Sequence, residues 1–319
     1  MVDIHRQSNV SDATKSYVRR NLDLSTPKGI LLYSAPTAII MIGFDLIHAF
    51  IHEMLGHGLF GILLGLQVKG FYISPLGISY TYISMNNVPT AIAVLEYSAG
   101  TIVSVLVGII LQFWLYPIVK RRSSSFGPRF LVLIFIIVLE TDLLYAFVSP
   151  LVSFGDVFGI AQALSIYPSG ILSLTVLPII FLVYYYVLRD YFELLAPFIQ
   201  RDQILNESQR RRFLLKVTYT PVMFVIIIEL IGVAISYYSF IAGVAFFILL
   251  ILMVSPMLPT IYIVSHLYNP AKQGIDNMQD PNKAIFSTIV LWKYALIFIL
   301  LMSIDLAVFG LVPHAISSI

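Results

Sequence analysis

Cysteine is absent from this chain of 319 residues, which excludes thiolate zinc sites, iron–sulfur clusters, thiol nucleophiles and disulfides together. Any metal must therefore be held by imidazole and carboxylate. Charge is almost as scarce. Asp, Glu, Lys and Arg make up 11% of the residues and hydrophobic residues 59%, whereas soluble domains carry about a quarter charged residues and about half apolar ones. That composition excludes a soluble globular protein and describes an integral membrane protein. Internal repeats and low-complexity tracts are also missing. The largest polar insertion, residues 189–216, is too short to fold alone.

Apolar runs of about 20 residues mark transmembrane helices, and seven are present, at 36–66, 89–119, 130–153, 169–188, 217–236, 241–265 and 288–311. The expected fold class is thus an all-α polytopic membrane protein of about seven helices. The first 28 residues carry Arg6, Lys15, Arg19, Arg20 and Lys28 without an apolar core, so they read as a cytosolic tail, not a signal peptide. With the N-terminus inside, the inner segments 1–28, 120–129, 189–216 and 266–287 hold 5, 4, 6 and 2 basic residues, all but Lys69 and Lys293 of the 19. This obeys the positive-inside rule and predicts an integral protein of the cell membrane. It divides the chain into a basic tail (1–28), a membrane core (29–188), a cytosolic basic loop (189–216) and a C-terminal three-helix segment (217–319).

Between the first two spans, GLQVKGFYISPLGISYTYISMNN alternates apolar and polar residues around Pro75 and Gly77, which predicts a short membrane-associated β region. Lipid tolerates such backbone only where protein or a water-filled cavity covers it.

The first span also contains His48, His52, Glu53 and His57, within GFDLIHAFIHEMLGHGLFGILLGL. Ionisable residues at such depth are costly and mark function. A His-Glu pair followed about one turn later by His is a zinc-hydrolase pattern, with two imidazoles on the ion and the carboxylate as base. Here the imidazoles are five residues apart, about 140° around a regular α-helix. Only a π-turn, with hydrogen bonds from i to i+5, would bring them to one face, and Gly56 and Gly58 ease that distortion. The regular-helix alternative pairs His48 with His52. The bland alternative is a polar seam between helices that binds nothing.

The stretch HEMLGHGLFGILLGLQVKGFYISPLG resembles the signature of the site-2-protease family of intramembrane zinc metalloproteases. Its six-residue motif is also similar to the HELLGH of dipeptidyl peptidase III. In the second span SAGTIVS is similar to the family's Ala-Gly-Pro-x-x-Asn segment, with Thr101 for Pro and Ser104 for Asn, and SPLVSFGDVFGI is similar to the segment bringing a third ligand, although Gly155 precedes Asp156 instead of following it. The resemblance covers about residues 36–165. It implies Zn²⁺ on His52, His57 and Asp156, Glu53 as general base, and metal-assisted hydrolysis of peptide bonds. Asp142 is the rival third ligand. Substrate contacts are expected from Ser104 and, through β-augmentation, from Tyr72 and Ile73. The expected partners are the lipid bilayer and a transmembrane protein substrate; nucleic acid is not one. The competing class is a non-catalytic membrane scaffold or transporter that keeps this helix for a metal-binding or structural role. Haem ligation has little support, since His5, His266 and His314 all lie away from mid-membrane.

Depth poses a separate problem. At 1.5 Å per residue, His52 is about 24 Å beyond Pro36 and Asp156 about 39 Å beyond Phe130, so straight helices would not bring them level. The topology is tested with single cysteines in this cysteine-free chain. Cysteines at Ser124 and Ser208 should be shielded from an impermeant thiol reagent added outside cells, and one at Asn87 should react. Outside labelling at Ser124 and Ser208 would overturn the N-inside arrangement.

Overall fold

The computed structural model describes residues 24–74, 79–123, 125–198, 206–237, 255–268 and 288–309. Helix α1 runs from Pro27 to Leu63, and its residues Ile51–Gly58 are π-helical. Thr26 caps its start: Oγ1 accepts from the Gly29 amide at 3.0 Å, and Pro27 occupies the first turn, where its missing N–H is not needed. Strands β1 (Val68–Tyr72) and β2 (Tyr80–Ile83) follow as an antiparallel pair, with Phe71 opposite Thr81 and a bulge between Val68 and Gly70. Next come α2 (Thr90–Arg122), α3 (Phe126–Leu139), α4 (Thr141–Val148), α5 (Asp156–Ala163), α6 (Ile171–Leu195), α7 (Glu207–Tyr237), α8 (Met257–Leu267) and α9 (Thr288–Phe309).

Among the described residues, five helical stretches are long and apolar enough to cross a membrane: α1, α2, α3 with α4, α6, and α7. The expected sixth span lies mostly outside the described residues, with α8 at its end, and α9 occupies the position of the seventh. The expected loop at 189–216 is helical over much of its length, since α6 continues to Leu195 and α7 begins at Glu207. There Lys120 pairs with Glu193 at 2.6 Å and Arg189 with Asp190 at 2.9 Å, so charged helix ends meet where a loop was expected.

The packing is that of a protein in lipid. On α2, Glu96, Gly100, Ser104, Gly108 and Gln112 are buried while Ile102, Leu106, Phe113 and Trp114 face outward. Polar and small side chains point in and large apolar ones out, the reverse of a surface helix in water. The central helix is α3, whose Phe130, Leu133, Ile134 and Ile136 are fully enclosed. Buried tyrosines join this core, and the hydroxyls of Tyr33 (α1) and Tyr191 (α6) bond to each other. Helices α7 and α9 both pack on α1.

The third span does not run straight. It breaks at Glu140 (φ −77°, ψ −5°), and α4 ends at Val148. The chain then reverses through 149–155. Ser149 ties the turn by donating from Oγ to the Phe154 carbonyl at 2.6 Å and accepting from the Phe158 amide at 3.1 Å. Gly155 has φ +83°, and a Cβ there would collide with the Tyr145 hydroxyl, so glycine is required on both counts. The reversal brings Asp156, the first residue of α5, back to the level of His52 and resolves the depth problem in favour of a break near Pro150.

Gly43 offers a test of the α1–α9 contact. A Cβ at this position would lie 2.5 Å from Phe298 Cγ, and overpacking of this kind costs about 1–3 kcal/mol. Gly43→Ala should lower the midpoint of unfolding in detergent, and Phe298→Leu in the same chain should restore part of it.

Candidate metal centre

The π-helical turn makes His52 and His57 neighbours. Within Ile51–Gly58 the backbone closes i to i+5 bonds, and the two imidazoles, five residues apart, face one another with ring centroids 5.0 Å apart. Close approach of α2 holds this turn in place. A Cβ on Gly56 would stand 2.5 Å from the Gly100 Cα, and one on Gly100 would stand 2.5 Å from His57 Nε2 while also striking His52 Nε2. The missing side chain of Gly100 is therefore the space into which both Nε2 atoms project.

Hydrogen bonding at the far side of each ring sets its tautomer. His52 Nδ1 lies 2.8 Å from Asp142 Oδ2, and His57 Nδ1 lies 2.8 Å from Glu96 Oε1. A carboxylate only accepts, so Nδ1 carries the proton in each neutral ring and Nε2 presents a lone pair. Asp156 Oδ2 joins them, 3.2 Å from His52 Nε2 and 3.4 Å from His57 Nε2; the two Nε2 atoms are 3.2 Å apart. A tetrahedral ion with bonds of about 2.0 Å needs donors about 3.3 Å apart. With both rings neutral these three atoms are all acceptors, a set that a proton on one ring or a cation among them would satisfy.

A second group, His48, His52 and Asp142, is also close together. Asp142 Oδ2 lies 3.0 Å from His48 Nε2 and 2.8 Å from His52 Nδ1. Of these two contacts the one to His52 is a hydrogen bond, whereas His48 Nε2 has no hydrogen-bond partner among the described residues. Asp142 thus touches the outer nitrogen of His52, and His48 is in turn 3.2 Å from Asp45. The two groups share His52, with Asp142 at its Nδ1 and Asp156 at its Nε2.

Glu53 is 7% exposed, and its Oε2 accepts from Thr81 Oγ1 at 2.8 Å. The same hydroxyl lies 2.9 Å from the Glu53 carbonyl, fixing β2 to the π-turn. A cavity of about 690 Å³ opens over this group, lined among others by Glu53, Thr81, Glu96, Tyr145, Asp156 and Glu229.

No protein-family model, curated protein or solved structure matches this chain.

The expected substrate contacts are redistributed. Ser104 is wholly buried and stands outside the cavity lining, and so do the buried Tyr72 and Ile73. The strand that meets the cavity is β2, through Tyr80, Thr81 and Ile83. Period-two alternation marks strands but does not say which strand faces a site. Glu96, Gly100 and Thr81 acquire roles that their sequence positions alone did not reveal. The available signal was the four-residue spacing of Glu96 and Gly100, which puts both on one face of α2.

Gly100→Ala places a methyl group between the ring nitrogens while leaving every donor in the chain. The variant should fold yet retain little zinc after dialysis, as measured by elemental analysis alongside circular dichroism. Full zinc content would show that the ion, if bound, sits elsewhere.

Proposed function

We propose that this protein is an intramembrane zinc metallopeptidase that hydrolyses peptide bonds of membrane-embedded protein substrates. The observation that carries the proposal is the convergence of two Nε2 lone pairs and one carboxylate oxygen at 3.2 to 3.4 Å, with the Glu53 carboxylate beside them in one cavity. In this reading His52, His57 and Asp156 hold Zn²⁺, and Asp142 and Glu96 fix the two imidazoles from behind. Zn²⁺ bound there would supply Lewis acidity, lowering the pKa of a bound water toward neutral and polarising the scissile carbonyl. Glu53 takes a proton from the attacking water and delivers it to the leaving amine. Thr81 holds the Glu53 carboxylate while this happens. An unwound substrate segment adds alongside β2, whose residues line the cavity. The chain crosses the cell membrane seven times, with its N-terminus in the cytosol.

Three potential ligands that line one cavity together with Glu53 favour this reading over a non-catalytic scaffold, because a structural zinc site would be closed to water and substrate.

Glu53→Gln tests the chemistry. It should bind zinc as the parent does and cleave a fluorogenic transmembrane model peptide in detergent about 10²- to 10⁴-fold more slowly. Zinc binding without cleavage by the parent chain would favour the scaffold. In the same assay Asp156→Ala should release most of the zinc, whereas Asp142→Ala should weaken affinity about 10- to 100-fold. The reverse order would make Asp142 the ligand.

A further inference from the structure

The buried face of α2 repeats every four residues, as Glu96, Gly100, Ser104, Gly108 and Gln112. Its outer end serves the metal centre, and at its inner end the Gln112 amide donates to Asp190 at 2.7 Å. Between these ends lie buried polar groups that the proposed hydrolysis does not use. Glu140 is 0% exposed, and neither of its carboxylate oxygens has a hydrogen-bond partner among the described residues. It sits at the break between α3 and α4, pressed against Gly108, where a Cβ would collide with Oε1. Ser104 Oγ, one turn away on the same face of α2, is fully enclosed and unpartnered. So is the hydroxyl of Tyr184 on α6, the helix packed against both α3 and α4 on either side of Glu140. Gln112 Oε1, one turn farther along α2, is another buried oxygen without a donor.

A carboxyl group removed from water must either hold its proton or be balanced by a cation. Unsatisfied groups of this kind are explained by water or by an ion. The donors decide the ion. All are oxygens, which suits a hard cation and argues against a transition metal. One carboxylate and neutral hydroxyls balance a single positive charge. A divalent ion would call for a second carboxylate, and Asp142 is already held by His48 and His52. Interrupted helices at membrane depth also recur at alkali-ion sites.

We propose that Glu140, with Ser104 and Tyr184, binds an alkali-metal cation inside the membrane, at a site separate from the His52, His57 and Asp156 cluster. The entrance is the neighbouring cavity, whose wall includes Tyr184, Val138 and Thr141. The ion joins α2, α6 and the α3–α4 break, so its role is to hold together the helices that carry Glu96 and Asp142. This site does not depend on the protein being a peptidase.

The test is thermal unfolding of the full-length protein in detergent with EDTA, in matched series of sodium, potassium and N-methylglucamine chloride. The midpoint should rise with sodium or potassium and saturate, as expected for a ligand bound only by the folded state, but stay flat in N-methylglucamine. The alkali ion giving half-saturation at the lower concentration is the preferred occupant. Glu140→Gln, close in shape, should fold and lose the response, and Ser104→Ala should need about tenfold more salt. Should Glu140→Gln not fold, Ser104→Ala and Tyr184→Phe give the same reading. His57→Ala should keep the full response, whatever becomes of peptidase activity. Identical midpoints in all three salts, a response surviving in Glu140→Gln, or one abolished by His57→Ala would each overturn the site.

Discussion

Contact between the backbones of α1 and α2 at Gly56 and Gly100 is the constraint from which the site follows. Neither position can carry a side chain without moving a helix or an imidazole. At that distance the π-turn of α1 lies flat against α2, Glu96 reaches His57, and both Nε2 atoms project toward the space above Gly100. A π-turn alone would set the two rings on one face of a helix; it is the glycine contact that encloses them. Association by small residues is characteristic of helices in lipid, where no hydrophobic force brings apolar faces together.

The same logic orders the rest of the molecule. Because lipid accepts large apolar side chains on any outward face, the sequence is free to spend its polar and small residues inward, and α2 does so at every fourth position. The α3 helix contributes Phe130, Leu133, Ile134 and Ile136 to the close-packed core and then breaks so that α4 and α5 can present Asp142 and Asp156 to the two nitrogens of His52. Two acidic residues 14 positions apart thereby act on the two nitrogens of a single ring.

Much of this was legible in the sequence. Five of the seven expected spans were visible because apolar runs must match bilayer thickness, and the five-residue spacing of His52 and His57 offered a π-turn as one of the readings. The β region was visible in its alternation. What could not be read was tertiary. Helical periodicity says that Glu96, Ser104 and Gly108 share a face but not which of them meets the cavity, so Ser104 was expected at the substrate and is instead enclosed. Nor does distance along the chain say which nitrogen of His52 Asp142 and Asp156 will each meet. The reversal that reconciles their depths depends on Ser149 and on a left-handed Gly155, features that have no signature until the turn is formed.

Thr81 carries a single hydroxyl proton, yet two oxygens of Glu53 lie within 2.9 Å of it. One donor shared by a backbone carbonyl and a carboxylate makes the seating of β2 and the hydrogen bonding of Glu53 one mechanical variable. A strand drawn away from α1 would remove the donor from both oxygens together, and a strand pressed closer would tighten both. Whatever engages β2 from the cavity side therefore acts on the carboxylate without touching it, through a lever one side chain long.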